Sequence, residues 1–145
     1  AAWAKQMNGY KVVTFHATDQ KGLPIYHTNV MMCIGNTFAV VCLEAIGNLD
    51  ERLAVKDILE KSGKHIIEIS LAQMTEFAGN MLLVSKTNGT RLLIMSTRAY
   101  RSLTRSQQDE LEDYAEIMHF DLDMIESCGG GSARCMIAEI HLPEK

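Results

Sequence analysis

The chain has 145 residues, 47% of them hydrophobic and 22% charged, the proportions of one globular domain with its own core rather than of a disordered tail. A net charge of -4 with no basic run leaves nothing to neutralise a phosphate backbone, which argues against nucleic acid as a partner. No apolar run is long enough to cross a bilayer, and no apolar signal region follows the opening AAWAKQMNGY, so neither a membrane partner nor secretion is expected.

In chain order, AAWAKQMNGY reads as the tail of a helix and YKVVTFHA as a strand, followed by a polar turn through Asp19, Gly22 and Pro24. IYHTNVMMCIG and TFAVVCLEAI predict a hairpin joined at Gly35 and Asn36. Asn48 and Glu51 predict an Asn-x-x-Glu capping box ahead of the amphipathic LDERLAVKDILEKS, which stops at Gly63. HIIEI predicts a further strand, and Ser70 with Gln73 repeats the capping pattern before the short helix LAQMTEF.

The same order then returns. GNMLLVSK and TRLLIMS are strands about the turn TNG, and RAYRSLTRSQQDELEDYAEIM is a helical region with a third capping pair, Thr104 and Gln107. Its apolar stripe runs through Tyr100, Leu103, Leu111, Tyr114, Ala115 and Met118. FDLDMIES is expected to close this unit as a strand, and ARCMIAEIHL to open another. Each unit is strand, strand, helix, strand. Superposing the two places Asn29 on Asn80, 51 residues apart, and a third copy would begin near Ser132. A repeat of about 50 residues is the pattern of propellers and arrays.

In an extended segment alternate side chains share a face, so His27 and Asn29 stand with Met31 and Cys33, and Cys135 stands with Ile137, Glu139 and His141, with Arg134 turned away. Equivalent strand starts meet at the axis of a propeller, which brings His27 towards Cys135. A converging thiol and imidazole are a nucleophile and its acid/base partner. Taken singly each has a plainer reading, since cysteine is among the most buried residue types. The chemical reading is favoured by Gly129, Gly130 and Gly131, which clear side chains from the approach to Cys135 at a large cost in backbone entropy. Cys33 and Cys42 read as core and Cys128 as structural. The four cysteines are expected as reduced thiols of a cytoplasmic protein. Their spacing matches no zinc or redox motif, and no metal or cofactor is expected. The glycine run lacks a following Lys-Ser/Thr and precedes an expected strand, which argues against a phosphate loop.

IYHTNVMMCIG, EISLAQMTEFAGNML and CGGGSARCMIAEIHLP, in this order, resemble the arginine deiminase and amidinotransferase superfamily, the penteins, and most closely its deiminase-related subgroup that includes citrulline-utilising hydrolases. The resemblance implies an α/β fold, a five-bladed β/α propeller of ββαβ units. This chain would hold about two complete blades plus fragments, a C-terminal portion without the N-terminal blades. It implies Cys135 as nucleophile and His27 as general acid/base, with Asn29, Gly130 and Gly131 at the substrate. The activity implied is that of a cysteine-dependent hydrolase, or an amidinotransferase, acting on a small guanidino or ureido compound such as arginine or citrulline. The family usually carries His-x-Asp where this chain has His27-Thr28-Asn29, and a neutral amide suits an uncharged ureido group, which favours citrulline. The competing expectation is a non-catalytic propeller fragment with a structural or binding role. An open arc is also expected to be inactive alone, and either to self-associate as a homo-oligomer or to show an apolar surface where the next blade docks.

Overall fold

A computed structural model describes residues 12–138. Strands β1 (Met32–Ile34) and β2 (Phe38–Val41) form an antiparallel hairpin in which Cys33 pairs with Val40. Helix α1 (Leu49–Lys61) then carries the chain back to β3 (His65–Glu68), which lies parallel to β2 with Phe38 opposite His65. Every residue of β2 is buried, as a central strand covered on both faces requires. A short helix α2 (Leu71–Thr75) leads to the second unit. There β4 (Leu82–Ser85) and β5 (Arg91–Ser96) form the hairpin, and two helices, α3 (Thr97–Ser102) and α4 (Arg105–Glu112), make the crossover. Strand β6 (Glu116–Phe120) then pairs parallel to β5. The chain continues into α5 (Asp123–Gly129) and the single turn α6 (Ala133–Met136).

The strand, strand, helix, strand order expected from the sequence therefore occurs twice, as two three-stranded sheets ordered β1-β2-β3 and β4-β5-β6. The second hairpin is one residue longer at its turn, with five residues between the paired Ser85 and Arg91 against four between Ile34 and Ala39. One core runs through both units and includes Phe38, Ile67, Met81, Leu93, Met95 and Leu111, all essentially inaccessible to solvent. At about 1.5–3 kcal/mol for each fully buried large side chain, this shared core is what holds the units to each other.

Polar side chains fix their orientation. The capping boxes at Ser70/Gln73 and Thr104/Gln107 are both formed. Each glutamine also reaches across to the other unit. Gln73 Nε2 donates to Ser102 O at 2.9 Å and to Gln107 Oε1 at 2.7 Å, and Gln107 Nε2 donates to Glu68 O at 2.7 Å. Of the box expected at Asn48 and Glu51 only one half forms, Asn48 Oδ1 accepting from Glu51 N at 3.1 Å, because the Glu51 carboxylate instead accepts from the backbone N–H of His16 and pairs with its ring.

Several expected elements differ. Residues 12–17 are not a strand, and the rest of YKVVTFHA, with Glu139 and His141, lies outside the described residues. The helical stripe after Arg98 breaks at Leu103, where ψ is 142°, and Met118 sits in β6. FDLDMIES is not one strand, because pairing stops at Phe120 and Asp123 begins a helix with acidic residues in its first turn. ARCMIAEIHL does not open as a strand. Ala133 to Met136 form one helical turn, so the proposed sharing of a strand face by Cys135 and Ile137 does not hold. Among the described residues exposed large apolar side chains occur in both halves, at Leu23, Tyr26, Leu49 and Leu53 as well as at Phe120, Met124 and Met136. Among the described residues no helix is long and apolar enough to cross a membrane.

Candidate active site

Three segments build the site: the lead-ins to β1 and β4, which hold the same place in the repeat, and the glycine run between α5 and α6. The first precedes β1. His27 is extended and opens a tight turn, Thr28–Val30, in which the N–H of Val30 donates to His27 O at 3.1 Å and that of Met31 to Thr28 O at 3.0 Å. The turn is tied down at Met31, whose carbonyl accepts from Cys42 N at 2.9 Å. His27 and Asn29 are therefore displayed by a turn, with strand alternation beginning only at Met32.

The second segment precedes β4. Helix α2 ends with the N–H of Phe77 donating to Met74 O and that of Ala78 to Gln73 O, both at 3.0 Å, a paired terminus that requires a left-handed residue. Here that residue is Phe77, at φ +64°, where glycine is usual. The chain then passes so close under the first unit that a Cβ on Gly79 would strike Val30 O and stand 2.9 Å from Met31 Cα. Asn80 follows, only 2% exposed.

The third segment is the glycine run. Gly130 ends α5 in the left-handed region at φ +67°. Ser132 Oγ donates to the buried carboxylate of Glu126 at 2.6 Å, and Cys135 N donates to Ser132 O at 3.0 Å to form α6. A Cβ on Gly131 would stand 3.2 Å from Cys135 Cβ and 3.4 Å from Sγ, so glycine there keeps the thiol uncrowded.

The three segments meet at Cys135. Asn80 Nδ2 donates to Asn29 O at 3.0 Å and to Cys135 Sγ at 3.1 Å, and its Oδ1 accepts from Arg134 N at 2.9 Å. Asn29 Nδ2 faces the same sulfur at 3.6 Å. The exposed Cys135 lies on an open cleft of about 550 Å³ that is also lined by Tyr26, His27, Asn29, Arg134 and Ile137. That volume is in the range of small-molecule sites.

Of the residues expected from the sequence, His27, Asn29 and Cys135 thus share one cleft. Gly130 and Gly131 do not line it; one shapes the backbone and the other makes room beside Cys135. Sequence reasoning missed Asn80, although the repeat had set it on Asn29, and turned Arg134 away from the cleft that it lines. The remaining thiols divide by burial. Burial pushes Cys33 up to about 11 and moves Cys42 in the same direction, which keeps both neutral within the core. Cys128 is exposed on α5. A larger cleft, of about 810 Å³, lies among α3, β6 and α5, but it contains no thiol and its Arg98 is engaged by Glu76 at 2.5 Å. Among the described residues no three His, Cys, Asp or Glu side chains are grouped as metal ligands.

The sequence profile of a family described as N,N dimethylarginine dimethylhydrolase, eukaryotic, matches residues 1–142. Among solved structures the chain is similar to ArgZ, described as an arginine dihydrolase from the ornithine-ammonia cycle in cyanobacteria. It matches the apo structure with 16% identity and a TM-score of 0.66, over 92% of this chain and 19% of that one. It matches the N-terminal domain bound to product with 18% identity and a TM-score of 0.62, over 92% and 42% of the two chains. A variant of that domain covalently bound to a reaction intermediate matches with 17% identity and a TM-score of 0.64, over 92% and 44%. The chain therefore spans less than half the length of each ArgZ chain, and at these identities the likeness is one of fold. A search of curated proteins finds no match.

Proposed function

The chain belongs to the eukaryotic N,N-dimethylarginine dimethylhydrolase family, and from that premise we propose that it carries the thiol half of a pentein active site that hydrolyses a small guanidino or ureido compound through a covalent cysteine intermediate. The observation that carries this reading is Cys135 Sγ lying where the glycine run meets the lead-ins of both repeat units, beside two amide groups, on the cleft that His27 lines. In the full reaction the Cys135 thiolate attacks the planar amidino carbon. The C–N bond breaks as protonated His27 gives its proton to the departing amine or ammonia, leaving an S-linked amidino adduct. Water then adds to that carbon, His27 takes its proton, and the C–S bond breaks to restore the thiolate and release a ureido product; with a ureido substrate the same two steps pass through an S-carbamoyl adduct and release a carbamate. Dividing one displacement into two is the service of the sulfur.

The two ββαβ units are read as neighbouring blades of a five-bladed propeller in which this chain is the C-terminal part. Asn29 is read as a substrate-side residue that favours a neutral ureido group, since an amide leaves a buried guanidinium without a counter-charge. In that case Asn29→Asp in the full-length enzyme should move the ratio of kcat/KM values from citrulline towards arginine, and an unmoved ratio removes Asn29 from the choice.

The deciding experiment for the function is labelling with a chloroacetamidine-type reagent together with ammonia or amine release from arginine, dimethylarginine and citrulline. Label on Cys135, with Cys33 and Cys42 spared, and loss of roughly a thousandfold or more in kcat for Cys135→Ser are expected. Full turnover in Cys135→Ser, or no turnover of any of the three by the full-length protein, would leave the binding or structural alternative; this chain alone is expected to be labelled at Cys135 without turning over.

A further inference from the structure

We propose that Asn80 is the positioning residue of the Cys135 sulfur. The inference rests on Cys135 being the nucleophile. A primary amide has two N–H donors and one carbonyl acceptor, and the surroundings of Asn80 employ all of them. One donor goes to Asn29 O in the first unit and the other to Cys135 Sγ, while the carbonyl accepts the N–H of Arg134, the residue immediately before the thiol. Turning the amide over would set its carbonyl against the carbonyl of Asn29 and leave Arg134 N–H without an acceptor. At 2% exposure there is no water to make up the loss. The backbone of two other segments therefore dictates where this N–H points, and it points at the sulfur.

Asn29, itself half-buried, offers the same group at 3.6 Å from an exposed turn. Asn80, at 3.1 Å and sealed beneath that turn, is the preorganised one of the two. A fixed donor aimed at the sulfur holds its rotamer towards the cleft and stabilises negative charge on it before attack. Such a residue acts on the chemical step and leaves substrate binding alone.

The test compares Asn80→Asp, which keeps the shape but presents a charged acceptor to the sulfur, with Asn80→Ser, which is smaller and keeps a hydroxyl. Alkylation of each cysteine by iodoacetamide is followed by peptide mass spectrometry under conditions where urea titration shows the protein folded, with exposed Cys128 as the internal reference. Asn80→Asp is expected to slow Cys135 relative to Cys128 by roughly a hundredfold, and to lower kcat by a similar factor with KM little changed. Asn80→Ser should fall between it and the parent. An unchanged Cys135 to Cys128 ratio in a folded variant overturns the proposal and reduces Asn80 to a brace. Should both variants unfold, the parent protein decides: alkylating Cys135 should shift the side-chain amide resonances of Asn80, and unmoved resonances again overturn it. Neither the alkylation ratio nor the resonance shift needs turnover. A Cys135→Ser protein that remains active therefore defeats the catalytic reading without being mistaken for a failure of the Asn80 contact.

Discussion

The segments that lead into β1 and β4 hold the same place in the repeat, Thr28-Asn29 in one and Gly79-Asn80 in the other, but the first borders the cleft and the second is sealed beneath it. The difference begins with a single Cβ. Thr28 has one and stands exposed, whereas Gly79 lacks one and lets its backbone press onto Val30 and Met31. That contact is what buries Asn80. A repeated asparagine is therefore not a repeated role. The outer copy is available to a ligand, and the inner copy is consumed in holding three segments together.

The comparison breaks most readily at Gly79. Gly79→Ala forces a methyl group into the backbone of the first unit, and overpacking of this kind is expected to destabilise by about 3 kcal/mol. The equivalent Thr28→Gly should change stability by no more than about 1 kcal/mol, chiefly through backbone entropy. Urea titration of the two variants checks the contrast, and equal effects would show that the close approach carries no energy.

A smaller effect separates the two hairpins. Cys33 and Val84 are equivalent at the repeat spacing, and Cys33 is the one that titrates. With the folded thiol raised by burial from 9.0 to about 11, the protein keeps this proton after the unfolded chain has lost it. The contribution is fully present below pH 9 and disappears as pH rises through the folded value, amounting to about 2 kcal/mol of lost stability by pH 11. Cys33→Val should flatten that alkaline limb, as measured by urea midpoints taken across it.

The smallest effect concerns the acid limb. The Arg98 guanidinium hydrogen-bonded to Glu76 holds that carboxyl below its usual range. The unfolded chain therefore takes up the proton first as pH falls. The pair's contribution is present above the ordinary glutamate range and is lost through the lower, folded value. Both side chains are partly exposed, so Glu76→Gln should lower stability at neutral pH by less than about 1 kcal/mol and make no difference once the carboxyl is protonated. A variant equally weakened at both ends of the titration would assign the loss to packing.

What the amino-acid sequence determined alone is local. The two ββαβ units, their turns and both interlocking capping boxes follow from side chains within a few residues of one another, and the sequence shows them because the physics that forms them is short-range. Where short stretches fit two periods, locality was insufficient. FDLDM alternates apolar and polar residues as a strand does, yet from Asp123 the chain is helical, because pairing with β5 ends at Phe120 and leaves it no neighbouring strand. Gly63 announced the end of α1, whereas Phe77 ends α2 in the same left-handed conformation with no glycine to announce it. Only tertiary structure decided that Asn29, Asn80 and Cys135, separated by 51 and 55 residues, touch one another. Their meeting depends on the packing of one unit against the next, through a backbone contact at Gly79 that leaves no periodicity in the sequence, and on the burial that turns an ordinary asparagine into the residue that aims the thiol.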